Sequence, residues 1–123
     1  MSGAHQVLIA DLRAVLAPDR VRVGETELGL YRRDASNLDG TPSVVVFPTS
    51  TDEVRAVVSA AVRHRVPFVA RGAGTGLAGG AVPLEGAVVI VLTKMDRVLS
   101  VDPVNRLAWV EPGVLNLDLT RIP

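Results

Sequence analysis

Cysteine is absent from this sequence, which excludes disulfides, thiolate metal sites and iron–sulfur ligation within the chain. Aromatic residues amount to 3%. A core must therefore be built from aliphatic side chains, and the valine-rich runs suit buried parallel strands and the helices that cover them. Neither sign of charge prevails: 13 basic residues face 13 acidic ones. Nothing in that balance advertises nucleic acid or an anionic membrane as a partner. Long apolar runs are missing too. The longest, Gly86 to Leu92, is far short of the roughly 20 residues that span a bilayer. The opening MSGAHQVLIADLRAVL has no basic n-region, and Asp11 and Arg13 interrupt its apolar part. The expectation is no signal peptide and a cytoplasmic location. Only two histidines occur. His64 reads as a cation at a helix end, and His5 as part of a frayed terminus.

What is present suffices for one domain: 123 residues, 48% of them hydrophobic. Leu8, Leu12, Val15 and Leu16 form one helical face that stops before Pro18. Residues 20–42 have no clean period, and YRRDASNLDGTP reads as a solvated loop. Ser43 to Phe47 is a short buried strand ended by Pro48. Ser50 and Glu53 then make a capping-box pattern, followed by Val54, Val57, Val58, Ala61 and Val62 at helical spacing. Asp52 and Glu53 in the first turn, with Arg63, His64 and Arg65 at the end, suit the helix dipole. Val66 to Ala70 is a second strand. Strand, helix 51–64 and strand form a compact βαβ unit. Its two strands are expected to be adjacent, parallel and joined right-handed. Val88 to Leu92 is a third strand, Val98–Val101 and Leu107–Val110 form a pair turned by DPVNR, and NLDLTR begins a helix. Trp109, in an apolar strand, is expected to pack in the core or on a sheet face. The fold class is α+β, an α/β-type βαβ unit plus further strands.

Between the second and third strands lies RGAGTGLAGG, Arg71 to Gly80, with five glycines in nine residues. Glycine gives up more chain entropy on folding than any other residue, so such density needs a reason. Gly74-Thr75-Gly76-Leu77-Ala78-Gly79 matches G-x-G-x-x-G, and Asp96 follows at about the distance of an acidic ribose partner. A Rossmann fingerprint must open a helix, however, and no helical period follows here. A P-loop is excluded because no Lys-Ser or Lys-Thr pair closes the stretch. A plain strand connection stays open, although it needs only one or two glycines. The remaining reading is an anion nest. A coiled glycine loop turns several N–H groups into one concavity, Thr75 adds a hydroxyl and Arg71 a positive charge. A diphosphate is the guest that best matches those donors.

VVVFPTSTDEV, the R-G-x-G-T-G-x-x-G-G loop, the strand pair and EPGV occur in that order. Together they resemble the FAD-binding domain of the vanillyl-alcohol oxidase and p-cresol methylhydroxylase flavoprotein superfamily. Within it, the sequence is most similar to the glycolate oxidase D-subunit and D-lactate dehydrogenase group, from about Tyr31 to Thr120. The resemblance implies the N-terminal part of such a domain, with residues 1–42 a helix and loop leading in and residues 43–123 a C-terminally truncated, partial FAD-binding domain. It implies that Gly72, Ala73, Gly74, Thr75 and Gly76 donate to the FAD diphosphate beside Arg71 and Leu77, and that Gly79 and Gly80 let the backbone turn. Pro48 is expected near the adenine, and Pro112, Gly113 and Val114 further along the cofactor. Thr75 stands where some relatives carry a flavin-linked histidine, so FAD is expected to be non-covalent. The implied parent activity is oxidation of a 2-hydroxy acid. The substrate-binding groups would lie in a cap domain outside this chain, and other subunits of an oxidase complex are possible partners. A non-catalytic nucleotide-binding fragment is the alternative.

Overall fold

The computed structural model describes residues 3–122. Helix α1 (Gly3–Val15) leads through a 3-10 turn, Pro18–Arg20, into the short strand β1 (Val21–Arg22) and helix α2 (Glu25–Leu30). Then come β2 (Val44–Val46), α3 (Thr51–Arg63), β3 (Phe68–Arg71) and β4 (Val88–Val91). A hairpin of β5 (Val98–Asp102) and β6 (Leu107–Val110) and a short helix α4 (Asn116–Thr120) complete the element order. The stretch 20–42, in which no clean period is found, thus contains β1 and α2 ahead of the loop at 31–42. Neither has a periodic signal, since one is two residues long and the other has no buried residue.

The four-stranded sheet has the order β1-β2-β4-β3. β2, β4 and β3 are parallel, with Val44 and Phe68 both opposite Val88, while β1 pairs antiparallel with β2. The expectation that the strands of the βαβ unit are neighbours is therefore corrected: β4 lies between them. The reason is burial. β4 is buried along its whole length, whereas Phe68 of β3 is 43% exposed. The uniformly apolar strand takes the centre, where neighbours cover both its edges, and the half-polar one takes the rim.

Side chains alternate across the sheet. Val44, Val46, Val88 and Ile90 meet Leu8, Leu12, Val57 and Ala61 of α1 and α3 on one face. Val45, Phe47, Val89 and Val91 meet Leu28 and Tyr31 on the other. The face of α3 is rotated from the stripe read in sequence: Val57, Ala60 and Ala61 are buried and Val62 is exposed. The hairpin forms its own two-stranded sheet, and Trp109 is 71% exposed, so it packs in no core. His5 is also corrected. It lies within α1 and its Nε2 is 3.0 Å from Gly86 O, which ties the helix to the turn before β4. His64 ends α3 and meets Asp11 Oδ2 at 2.6 Å, joining α3 to α1.

The start of α3 is fixed by charge as well as by its cap. Ser50 accepts from the Glu53 N–H at 3.2 Å. Glu53 reaches back to the N–H of Thr49 rather than of Ser50, and takes a two-pronged ion pair from Arg20 at 2.8 and 2.7 Å. Arg20 first and Thr49 next hold the Glu53 carboxyl at about 2, against 4.5 for a free glutamate. A depressed carboxylate contributes stability above its unfolded value, and loses it as pH falls through the folded one. Acid should therefore remove this contribution between about 4.5 and 2. Glu53→Gln is expected to cost about 2–3 kcal/mol at neutral pH and to flatten that acid limb. Urea unfolding of both proteins across this pH range checks it.

Candidate functional site

Parallel strands bring their carboxyl ends to one edge, and open α/β sheets receive ligands there. Three segments leave the sheet at that edge: Pro48 after β2, the glycine loop after β3, and the turn Leu92–Met95 after β4. Pro48 is fully buried and closes one flank. The glycine loop forms the other flank. Residues 72–82 contain no helix, which removes the Rossmann alternative. The chain bends from Gly72 to Ala81 and runs through Pro83 and Gly86 into β4.

Among the described residues, no N–H from Gly72 to Ala78 donates to another backbone group. Gly72, Ala73, Thr75, Gly76, Leu77 and Gly80 are exposed, and Leu77 presents its side chain almost entirely to solvent. Around Gly72 and Gly80, no atom lies within 4 Å of where a Cβ would stand. Backbone amides without partners persist only where water or a ligand accepts from them. A run of them on bare backbone is suited to an anion with several oxygens.

Two glycines have specific reasons to be glycine. Gly74 has φ 74° and Gly79 φ 78°, both in the left-handed region. A Cβ on Gly74 would overlap the Arg71 guanidinium, and one on Gly79 would stand 2.8 Å from Leu38 Cδ1. Gly76 is not left-handed, and the nearest atom to its Cβ position is Asp34 Oδ2 at 4.0 Å.

Arg71 is 9% exposed, so its charge does not stand free beside the loop. Its Nη1 donates to Arg33 O at 2.6 Å, and its guanidinium lies 5.3 Å from the Tyr31 ring centre. It supports the loop from beneath. Tyr31 in turn meets Phe47 edge-on at 5.6 Å. The segment around Arg33 and Asp34 is thus not merely a solvated loop. Arg32 and Arg33 bind Asp39, but Ala35 N donates to Gly76 O at 2.9 Å. Tyr31, Asp34, Leu38 and Gly40 lie against the loop or the turn after it; from sequence the charged run Arg32-Arg33-Asp34 reads as solvated, because a polar, aperiodic stretch carries no packing signal.

The EPGV turn docks at the centre of the same edge. Glu111 is 8% exposed and accepts from Arg97 Nε at 2.7 Å and Arg97 N at 3.0 Å. Arg97 holds its carboxyl below the usual range. Gly113 N donates to Met95 O at 2.7 Å. A Cβ on Gly113 would overlap the carbonyls of Leu92, Thr93 and Met95, so close approach of two backbones requires glycine here. Gly113 and the half-buried Val114 line a hollow of about 250 Å³ with Thr93, Asp96, Val98, Leu115 and Asp118. Pro112 is exposed. The structure thus brings Pro48, the loop 71–80 and the turn 112–114 to one edge, with Arg71 and Pro48 buried.

A family described as FAD binding domain matches residues 42–122. The chain is 40% identical over 93 residues to the glycolate oxidase subunit GlcD of Bacillus subtilis, covering 75% of this chain and 20% of that protein. It is 41% identical over 108 residues to the D-lactate dehydrogenase of Anaerostipes hadrus, covering 86% of this chain and 23% of the other. The solved structure of p-cresol methylhydroxylase with substrate bound matches with a TM-score of 0.86 at 28% identity, over 98% of this chain and 24% of that one. The α+β arrangement found here is the fold of that protein's FAD-binding domain. The chain spans between a fifth and a quarter of the length of these relatives.

Proposed function

Because this chain belongs to the family of FAD binding domains, we propose that it grips the FAD diphosphate for a flavin-dependent oxidoreductase whose full-length form oxidises a 2-hydroxy acid of the glycolate or D-lactate kind. The observation that carries the reading is the run of loop amides from Gly72 to Ala78 that donate to no backbone group at the ligand-receiving edge of the sheet. The residues fit the group. A diphosphate without a metal needs many oriented donors, and hydrogen bonds to a charged acceptor contribute roughly 1.5–3 kcal/mol each.

In this reading Gly72, Ala73, Gly74, Thr75 and Gly76 donate to the phosphate oxygens. Gly79 and Gly80 turn the chain away without placing a side chain in the path. Arg71 adds positive charge from behind the loop while its guanidinium fixes Gly74. Leu77 covers the outer side, Pro48 borders the adenine, and Pro112, Gly113 and Val114 lie along the remainder. Thr75 stands where some relatives carry a flavin-linked histidine and has no imidazole to make that bond, so the cofactor is held non-covalently. Bound FAD supplies the hydride acceptor, and the protein's task is to place it. The base and the cation that orient a 2-hydroxy acid come from outside these residues, as do other subunits of an oxidase complex.

A chimera tests this. Residues 42–122 replace the matching segment of the Anaerostipes hadrus D-lactate dehydrogenase. The purified chimera is expected to retain flavin and to reduce a dye when given D-lactate. A folded chimera that purifies without flavin contradicts the binding role, and one that keeps flavin but gives no D-lactate-dependent reduction contradicts the claim that this segment places the flavin for turnover.

A further inference from the structure

A carboxylate lies against the glycine loop without a role in the binding scheme above. Asp34 Oδ1 accepts from Ser36 N at 2.8 Å. Its Oδ2 is buried and has no hydrogen-bond partner among the described residues. That oxygen is also the nearest atom to the Cβ position of Gly76, at 4.0 Å. A negative charge close to a diphosphate site is costly unless it does something for the site.

Its surroundings show what. The segment 31–40 touches the loop at four successive places. Tyr31 and Arg33 O hold Arg71, and Ala35 N binds Gly76 O at 2.9 Å. Leu38 Cδ1 lies where a Cβ of Gly79 would overlap it, and Gly40 lies in the same way against Pro83. The Asp34–Ser36 bond turns the middle of this segment, so that Ala35 N and Leu38 face the loop together. The Leu38 N–H to Ser36 Oγ bond, 3.2 Å, closes the same turn. Ser36 first, and the Gly79 N–H more weakly, hold the Asp34 carboxyl below the ordinary range, so it is charged at neutral pH.

Resting on the FAD-binding reading, we infer that segment 31–40 is a brace that sets the glycine loop in its receiving shape before the cofactor arrives, with Asp34 as its positioning residue. Asp34 touches no phosphate. It acts by fixing the turn that presents Ala35 and Leu38. A loop already shaped in this way loses less freedom on binding, which is how preorganisation raises affinity.

The test uses the full 123-residue chain with Asp34→Ala and Asp34→Asn. Amide hydrogen exchange is measured without FAD, and FAD affinity by quenching of flavin fluorescence. In Asp34→Ala, the amides of Ala35 and Gly40, bonded to Gly76 O and Arg32 O, should exchange about tenfold faster while those of α3 are unchanged. FAD should bind about tenfold more weakly. Asp34→Asn keeps an acceptor for Ser36 N and should show a smaller change in the same direction. If Asp34 were only a misplaced charge, both variants would bind FAD more tightly, and that result overturns the inference. Unchanged exchange at Ala35 and Gly40 overturns it as well. So does a uniform rise across this segment and α3, because Asp34 would then serve folding in general. Wild-type chain that fails to bind FAD would refute the binding reading, while the exchange experiment would still decide the brace.

Discussion

Gly74→Val is expected to strip the chain of FAD affinity while leaving its helices folded. Gly74 has φ 74°, a conformation that costs a residue with a Cβ about 1–2 kcal/mol and a β-branched one more. The new side chain would also overlap the Arg71 guanidinium, driving it off the Tyr31 ring and Arg33 O. Loop and brace would then lose their shared anchor. Together these effects should weaken FAD binding by at least about thirtyfold. Two comparisons show that the effect is local. Thr75→Ala removes a hydroxyl but no amide and should cost only about threefold. Gly76→Ala, at ordinary φ and with 4.0 Å to its nearest protein neighbour, should keep the loop's shape and lose less affinity than Gly74→Val. Flavin fluorescence titrations of the three variants, with circular dichroism as the folding control, check the ranking. Equal affinity in wild type and Gly74→Val would refute the role of the loop.

The second large effect is an absence of turnover. The 123-residue chain, given FAD, D-lactate or glycolate and an acceptor dye, is expected to show no more dye reduction than free flavin does. Oxidation of a 2-hydroxy acid needs the α-carbon held against the flavin, with a base and a carboxylate clamp in reach. Neither histidine stands at the ligand-receiving edge to act as that base, and the arginine of the loop is engaged elsewhere. His64 closes α3 just before β3 and binds Asp11, and His5 meets Gly86 just before β4. Both histidines therefore sit at the amino ends of the parallel strands, opposite the glycine loop. Arg71 is held by Arg33 O and buried. Steady substrate-dependent reduction above the free-flavin control would show that catalytic groups lie within this chain.

Much of the fold was legible wherever burial imposes a period. The capped helix α3, the strands at 44–46, 68–71 and 88–91, and the hairpin all fall where the apolar pattern places them. Strand order was not legible, because a βαβ pattern fixes direction but not which strand lies between. The deciding quantity is how completely each run is buried, and that exists only after packing. Trp109 misled for a related reason: among the described residues, the separate two-stranded sheet has no second layer to bury its ring. At the site, glycine density announced the loop, since close approach leaves that mark in sequence. The brace left none. Its contacts are made largely by backbone atoms of Arg33 and Ala35, which any residue supplies, and by an aspartate indistinguishable in sequence from its solvated neighbours. Gly113 lies between, visible as part of EPGV but explained only by the carbonyls of Leu92, Thr93 and Met95 pressed against it.

The central claim is that the free amides of the glycine loop receive the diphosphate, and amide-resolved NMR during FAD titration tests it most directly. The N–H signals of residues 72–78 should shift together and saturate, with smaller shifts at Thr49 and at Gly113 and Val114. ADP should reproduce the loop shifts, because it carries the diphosphate. Saturable shifts confined to other surfaces, such as the hollow lined by Val23, Leu28 and Arg32, with the loop signals unmoved, would contradict it.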